Sequence, residues 1–292
     1  SGNAILLKGG AEAARTNEVL MTIWREALAE SGDVPDGAAQ MLHSRADVME
    51  LLNLQRDVDL LIPRGGKAFV EQISRHSRIP VLGHGEGICH VYVHSAADLN
   101  KAERIVMDAK VDYPAACNAA ETLLVDASVA AEYVPQIVEK LLAAGVEVRG
   151  CERTRALAKT REVREATEQD WATEYGDMIL AIRVVDGLEA AIAHIHEFGS
   201  AHTEAILTED AAAAERFLSE VDAAGVFHNA STRFADGYRY GLGAEVGISN
   251  GKLHARGPMG MEGLTTYKYK LRGSGQTVRE YKGGKKFTHK PL

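Results

Sequence analysis

Short apolar runs alternate with amphipathic stretches along the first hundred residues, as is typical of strands joined by helices. The apolar residues of the first amphipathic stretch, Val19, Leu20, Ile23 and Leu28, fall on roughly one helical face. Ser44 precedes the second stretch in the position of a helix N-cap. The predicted strands cover 3–10, 39–43, 58–66 and 79–85, and the predicted helices cover 12–31, 46–54 and 67–77.

The same alternation continues to about residue 225, so a second α/β unit follows the first. Strands separated by helical crossovers predict a parallel, doubly wound sheet that binds ligands at the carboxyl ends of its strands. From residue 267 the pattern changes to period two, which predicts extended β arms; such arms need a partner sheet, so we expect a homo-oligomer. The second unit is predicted to contain strands over 121–126, 146–150, 178–186 and 204–210 and helices over 99–110, 133–145, 187–199 and 211–225.

The composition and net charge limit the kinds of molecule that the protein is expected to bind. The chain has 292 residues, 46% of them hydrophobic, which is enough to bury a sizeable core. Its net charge of −8 disfavours nucleic acid and anionic membrane surfaces, because both attract basic patches. Since no apolar run approaches the roughly 18 residues of a membrane span, we expect a cytoplasmic protein that acts on small molecules.

The three cysteines could form a disulfide, bind a metal or act as a nucleophile. Cys89, Cys117 and Cys151 are widely spaced and contain no C-x-x-C pair, which disfavours both a disulfide framework and a zinc site. His90 and His94 would share one face of a strand, but without a third ligand we predict no metal site.

Cys117 follows the turn sequence YPAA and precedes an apolar strand, an open setting with many backbone N–H groups. Those donors could lower its pKa and bind an oxyanion, as a nucleophile requires. A buried core thiol is the alternative, and no neighbouring histidine supports a Cys/His hydrolase.

Eight ordered motifs resemble one known family. They are SGNAILLKGG, LIPRGG, GHGEGICH, DYPAACNAAETLLV, TEYGD, FGSAHTEAILTED, NASTRFADGYRYGLGAEVGIS and HARGPMGMEGLTTYKYKLRG. Together they resemble the γ-glutamyl phosphate reductases, also called glutamate-5-semialdehyde dehydrogenases, of the aldehyde dehydrogenase superfamily. The wording DYPAACNA is closer to the reductase domain of the bifunctional pyrroline-5-carboxylate synthases. The resemblance implies a partial, doubly wound NADP-binding domain over 1–92, a catalytic α/β domain over 93–266 and an oligomerisation arm over 267–292.

The resemblance also implies the roles of individual residues. Cys117 matches the nucleophile, which forms a thioester with L-glutamyl 5-phosphate that a hydride from NADPH reduces to the semialdehyde, in proline biosynthesis. Lys8 matches the lysine near the adenosine ribose, and Glu174 matches the glutamate that binds the nicotinamide ribose. The turn Pro63, Arg64, Gly65 and Gly66 would face the cofactor, and Asn118, Asn229, Ser231, Thr232 and Arg233 would face the substrate.

Two departures from the family pattern keep other functions open. The water-activating glutamate of oxidative aldehyde dehydrogenases has no equivalent, since that region reads Gly83-His84-Gly85-Glu86-Gly87. The N-terminal portion of the family also has no counterpart, so we expect a fragment whose substrate would come from a fused or separate glutamate kinase. The alternatives are an aldehyde dehydrogenase that works oxidatively and a non-catalytic assembly module.

Overall fold

The structure is a computed structural model that describes residues 2–83, 85–252 and 255–287. The helices of this part are α1 (Ala14–Ser31), α2 (Arg45–Leu51), α3 (Lys67–His76), α4 (Leu99–Val111), α5 (Ala127–Ala143), α6 (Glu152–Leu157), α7 (Glu168–Trp171), α8 (Leu188–Phe198), α9 (Ala211–Glu220) and α10 (Val278–Lys282). The strands are β1 (Ile5–Leu7), β2 (Ala39–Met41), β3 (Cys89–Val93), β4 (Ala120–Asp126), β5 (Glu147–Gly150), β6 (Arg164–Glu165), β7 (Ile179–Val185), β8 (Thr203–Leu207), β9 (Gly225–His228), β10 (Ile248–Ser249) and β11 (Gly257–Pro258).

A parallel sheet dominates the second half of the described chain. Its order is β6-β5-β7-β4-β3-β8-β9, and every neighbouring pair is parallel. On one face, alternate residues such as Val91 and Leu123 pack against α4 and α5. On the other face, Tyr92 and Leu124 pack against α8 and α9. Helices on both faces bury the central strands β3, β4 and β8 completely, which explains their nearly continuous apolar runs and confirms the predicted doubly wound architecture.

Local hydrogen bonds set the ends of several predicted helices. The predicted N-cap Ser44 is confirmed, because its hydroxyl accepts from the N–H of Asp47 and the Asp47 carboxylate accepts in return. Helix α5 begins six residues earlier than predicted, at Ala127. Asp126 caps it by accepting from the N–H of Ser128 at 2.9 Å, and Pro135, which the sequence suggested near a helix start, lies in its interior.

The first unit contains less sheet than predicted. Strands β1 and β2 pair in parallel, but the expected strands over 58–66 and 79–85 form only one parallel bridge, between Leu61 and Val81. Pro63 and Pro80 have no N–H group to extend that ladder, which accounts for the difference. His84, within the second of these stretches, lies outside the described residues.

Two other features differ from what the sequence pattern alone suggests. The apolar face of α1 is exposed rather than buried, with Val19 at 59% and Ile23 at 56% of their full accessibility. The tail forms no strand within 267–287 but an irregular segment followed by α10, and 288–292 lie outside the described part. An isolated strand leaves all its backbone N–H and C=O groups without ladder partners, and no described strand lies beside residues 267–287 to form a ladder.

The expected boundary between residues 92 and 93 falls within β3, which is a central strand of the large sheet. Because a strand and its ladder fold as one piece, we propose that the second unit begins before Cys89.

Leu123 provides a test of the core. Its side chain is fully buried in the central strand β4, so Leu123→Ala should lower the free energy of unfolding by about 2–5 kcal/mol, as measured by urea denaturation. Leu271 is the matched control, because its side chain is 92% exposed and the same substitution should change stability by less than about 0.5 kcal/mol. Equal effects at the two positions would contradict the packing described for β4.

Candidate functional site

Cys117 lies in the turn between α4 and β4, just ahead of the strand. Two backbone bonds tighten this turn: Ala116 donates to the carbonyl of Tyr113 at 3.1 Å, and Ala119 donates to that of Ala116 at 2.8 Å. The side chain of Cys117 is half-buried, whereas Cys89 is fully buried. Cys117 is therefore neither a core thiol nor a freely exposed one.

Gly87 fixes the close approach of the segment before β3 to the nucleophile candidate. A Cβ at position 87 would lie 2.0 Å from the carbonyl oxygen of Cys117, so only glycine fits without moving that peptide. The thiol of Cys89 donates to the same carbonyl oxygen at 3.4 Å. These contacts hold the backbone of Cys117 against the start of β3.

The electrostatic environment of Cys117 differs from the expectation. Burial raises the pKa of its thiol to about 11, and the carboxylates of Glu174 and Glu245 raise it further; the residue's own backbone N–H and the guanidinium of Arg64 act weakly in the other direction. The sequence suggested donors that would lower the pKa. In this structure the thiol is neutral at pH 7.

A cavity of about 340 Å³ brings the turn 63–66 and Glu174 together. Gly66 leaves open backbone in that turn, since a Cβ on it would meet no atom within 4 Å, whereas a Cβ on Gly65 would lie 2.9 Å from the ring of Phe69. Arg64 also donates to the carbonyl of Val246, which joins this turn to the loop that carries Glu245. The residues that line the cavity are Pro63, Arg64, Gly65, Gly66, Gly85, Glu86 and Glu174.

Lys8 is not among the residues that line this cavity. It follows β1, its side chain is exposed, and its ammonium group donates to the carbonyl of Gly9 at 2.5 Å. The structure thus does not bring Lys8 to Glu174 and the turn 63–66, and its role in cofactor binding stays a prediction.

Asn118 and Arg233 lie together. The Asn118 amide donates to the carbonyl of Ala235 at 2.9 Å, which attaches the loop after β9 to the residue beside Cys117. Arg233 is 8% exposed; its Nε donates to Asp112 at 3.2 Å, and its guanidinium lies over the ring of Tyr113.

The other three residues predicted for the substrate side have local partners or are buried. Ser231 accepts from the N–H of Arg233, and Thr232 is fully buried. Asn229 uses its side-chain amide to bind both the N–H and the carbonyl of Thr208, so it connects β9 to β8. Asn229, Ser231 and Arg233 nevertheless line one cleft together, and the Asn118 amide, beside Cys117, also donates to the carbonyl of Arg233 at 3.5 Å.

A second cleft of about 540 Å³ runs between α4 and the loop after β9. Arg104 and Arg233 are two of its cations, and Asp108 and Asp112 are its anions. The cleft therefore presents both signs of charge beside the Asn118–Arg233 contact, an arrangement suited to a zwitterionic molecule.

Sequence reasoning missed one buried ion pair near Cys117. The ammonium of Lys110, at the end of α4, lies 2.7 Å from the carboxylate of Glu121 in β4, and both side chains are buried. The signal was present, because Glu121 is a charged residue next to the apolar run Leu123–Val125 of a strand predicted to be buried, four residues after Cys117.

No group of three His, Cys, Asp or Glu side chains within residues 2–83, 85–252 and 255–287 is arranged to hold a metal ion. His90 instead pairs with Glu204 at 2.9 Å, and His94 bonds Thr208 at 2.9 Å. In the described part of the chain, no helix combines the length and apolar character needed to cross a membrane.

Comparison with known proteins gives a consistent assignment. Residues 1–156 match the model of the aldehyde dehydrogenase family. The chain is 58% identical over 291 residues to the γ-glutamyl phosphate reductase of Natronomonas pharaonis, covering 99% of this chain and 66% of that protein. The chain therefore spans just under two thirds of the length of this relative.

Comparison with solved structures gives the same family as comparison of sequences. The γ-glutamyl phosphate reductase of Thermotoga maritima is 46% identical, with a TM-score of 0.91 over 95% of this chain and 67% of that one. A glyceraldehyde-3-phosphate dehydrogenase from Methanocaldococcus jannaschii, solved with NADP, shares the fold at 18% identity, with a TM-score of 0.60 over 79% of this chain and 59% of that one. The chain belongs to the aldehyde dehydrogenase family, in the group of the γ-glutamyl phosphate reductases.

Proposed function

We propose that the protein reduces L-glutamyl 5-phosphate to L-glutamate 5-semialdehyde and phosphate with NADPH, as a step of proline biosynthesis. The observation that carries the proposal is a half-buried Cys117, held at its backbone by Gly87, beside a cavity that joins Glu174 to the turn 63–66. The names of close relatives point to the same reaction.

In the proposed reaction, Cys117 forms a thioester with the substrate. The thiol proton passes to solvent, the sulfur attacks the γ-acyl carbon, and the bond from that carbon to the phosphate oxygen breaks, so that phosphate leaves with the electron pair of that bond. The backbone N–H of Cys117, which lies close enough to the sulfur to favour the thiolate, is suited to bind the oxyanion that forms during the attack. A thioester is a better hydride acceptor than an amide, because its carbonyl is less delocalised.

The residues around the cavity fit a nicotinamide cofactor, which would supply the hydride. The open backbone of Gly66 admits a polar group at close range, and the carboxylate of Glu174 can accept hydrogen bonds from ribose hydroxyls. We also keep Lys8 as a candidate for the adenosine side. The preference for NADP over NAD comes from the family resemblance.

The substrate side centres on Asn118 and Arg233. The Asn118 side-chain oxygen is buried, and none of the described residues donates to it. Arg233 uses its Nε for Asp112, and its fork is otherwise suited to a carboxylate or phosphate. We further propose a cytoplasmic homo-oligomer that receives its substrate from a glutamate kinase, because acyl phosphates hydrolyse readily in water.

Cys117→Ala tests the nucleophile. In the full-length protein it should abolish reduction of the acyl phosphate while NADPH binding and the melting temperature change little, because a half-buried thiol contributes a covalent step and little packing. Cys151→Ala is the control and should retain turnover. Reduction that survives in the Cys117 variant would remove the thioester from the mechanism.

The pH dependence of alkylation tests the environment of Cys117. Because its pKa is raised to about 11, the rate with iodoacetamide should rise about tenfold per pH unit from pH 7 to 10, whereas an ordinary thiol levels off near pH 8.5. Glu174→Gln removes a like charge and should increase the rate at pH 7.5. A plateau below pH 9 would contradict the raised pKa.

Arg233→Ala tests the substrate side. Losing a hydrogen bond to a charged group costs about 1.5–3 kcal/mol, so the KM for the acyl phosphate should rise about 10- to 150-fold with the KM for NADPH nearly unchanged. Arg216→Ala, at an exposed ion pair with Glu189 and Glu220, is the control. An equal rise in both KM values would give Arg233 a structural role instead.

A further inference from the structure

The buried ion pair between Lys110 and Glu121 joins α4 to β4, but stabilising that contact does not account for it. Both side chains are fully buried, and one carboxylate oxygen of Glu121 accepts from the Lys110 ammonium at 2.7 Å. Removing two charges from water is costly, and an apolar pair of similar volume would often fill such a space with equal or better stability. Packing alone therefore does not explain these residues.

The second oxygen of Glu121 reaches the cavity segment. It accepts from the backbone N–H of Gly176 at 3.1 Å, two residues after Glu174. Gly176 has a φ of +60°, a left-handed conformation that glycine adopts without strain. Glu121 thus holds the chain where it turns sharply behind Glu174.

A second anchor holds the same segment on its other side. The hydroxyl of Tyr175 donates to Asp170 at 2.8 Å, and Arg149 donates to that carboxylate at 2.6 Å. The guanidinium of Arg149 also lies over the ring of Tyr175, 5.1 Å from its centre. Residues 174–176 are consequently fixed at two points, one of which is Glu121.

The position of Glu121 in sequence connects the two halves of the site. Burial raises the pKa of Glu121 to about 7, while Lys110 and the Gly176 N–H favour its charged form. Glu121 follows Cys117 by four residues in the same turn and strand. A displacement of β4 would therefore move Cys117 and the support of Glu174 together.

We propose that Glu121, with Lys110 as its counterion, is a positioning residue that fixes Glu174 relative to Cys117. This inference rests on the proposed function for the role of Glu174 in cofactor binding. The placement of Glu174 can be measured without any cofactor, because its carboxylate raises the pKa of the Cys117 thiol.

Two double variants separate positioning from packing. Lys110→Met with Glu121→Gln removes the buried charges but keeps an oxygen that can accept from Gly176. Lys110→Met with Glu121→Met removes the charges and the acceptor at similar volume. Thermal melting of both in the full-length protein establishes that they fold, and Glu204→Gln, an equally buried carboxylate that pairs with His90, is the control for loss of a buried charge.

The two variants should differ in two measurements. With Met at 121, the rate of Cys117 alkylation without cofactor at pH 7.5 should rise toward that of Glu174→Gln, and the KM for NADPH should rise about fivefold or more with a smaller change in kcat. With Gln at 121, alkylation should stay within about twofold of the unsubstituted protein, and the KM should rise less.

Each outcome has a distinct meaning. Equal alkylation rates in the two double variants would overturn the positioning role, whether or not the protein uses NADPH. If alkylation behaves as expected but the unsubstituted protein does not bind NADPH, the proposed function fails and the placement of Glu174 by Glu121 stands. An equal effect of Glu204→Gln on alkylation would assign the change to general loss of buried charge and overturn the inference.

Discussion

Parallel alignment of the central strands is the constraint on which the site depends. Because β3, β4 and β7 run in the same direction, the segments that precede them meet at one edge of the sheet: Gly87 before β3, Cys117 before β4 and Glu174 before β7. The site of the large sheet thus lies at its amino-terminal edge, although the sequence pattern favoured the carboxyl ends. The turn 63–66 and Lys8 follow strand positions in the first unit, as that rule expects.

The alternation of apolar and amphipathic segments predicted four of the seven strands of the large sheet, β4, β5, β7 and β8, and the four helices α4, α5, α8 and α9; it did not predict the short edge strands β6 and β9. Periodicity reports burial, and the central strands of this sheet are buried on both faces. It failed where burial and pairing depend on distant partners. The apolar positions of α1 have the correct spacing but are exposed, and the period-two pattern after residue 267 forms no ladder in the described chain.

The sequence was sufficient to name candidate residues of the site, but not to predict the charges and burial around them. Motif resemblance identified Cys117 and Glu174, whereas the rise in the thiol pKa comes from burial and from carboxylates 57 and 128 positions away in sequence. Lys110 resembles an ordinary basic residue at a helix C-terminus, so its burial against Glu121 becomes visible only when α4 packs on β4. Asn229 is the opposite case. The motif resemblance predicted that it faces the substrate, but in the structure its side-chain amide accepts a hydrogen bond from the backbone of Thr208.

A raised thiol pKa is compatible with a nucleophilic cysteine, because it lowers the fraction of thiolate but raises the nucleophilicity of each thiolate. Raising the thiol pKa from 9.0 to about 11 lowers the thiolate fraction at neutral pH about 100-fold. The thiolate that forms is intrinsically stronger, and a Brønsted coefficient of about 0.4–0.5 returns roughly 6- to 10-fold. The net loss of about 10- to 15-fold is small beside effective molarities of about 10⁵ M or more for well-placed reactants. Geometry outweighs acidity here, which is why the contacts that position Cys117 and Glu174 matter more than the charge state of the resting thiol.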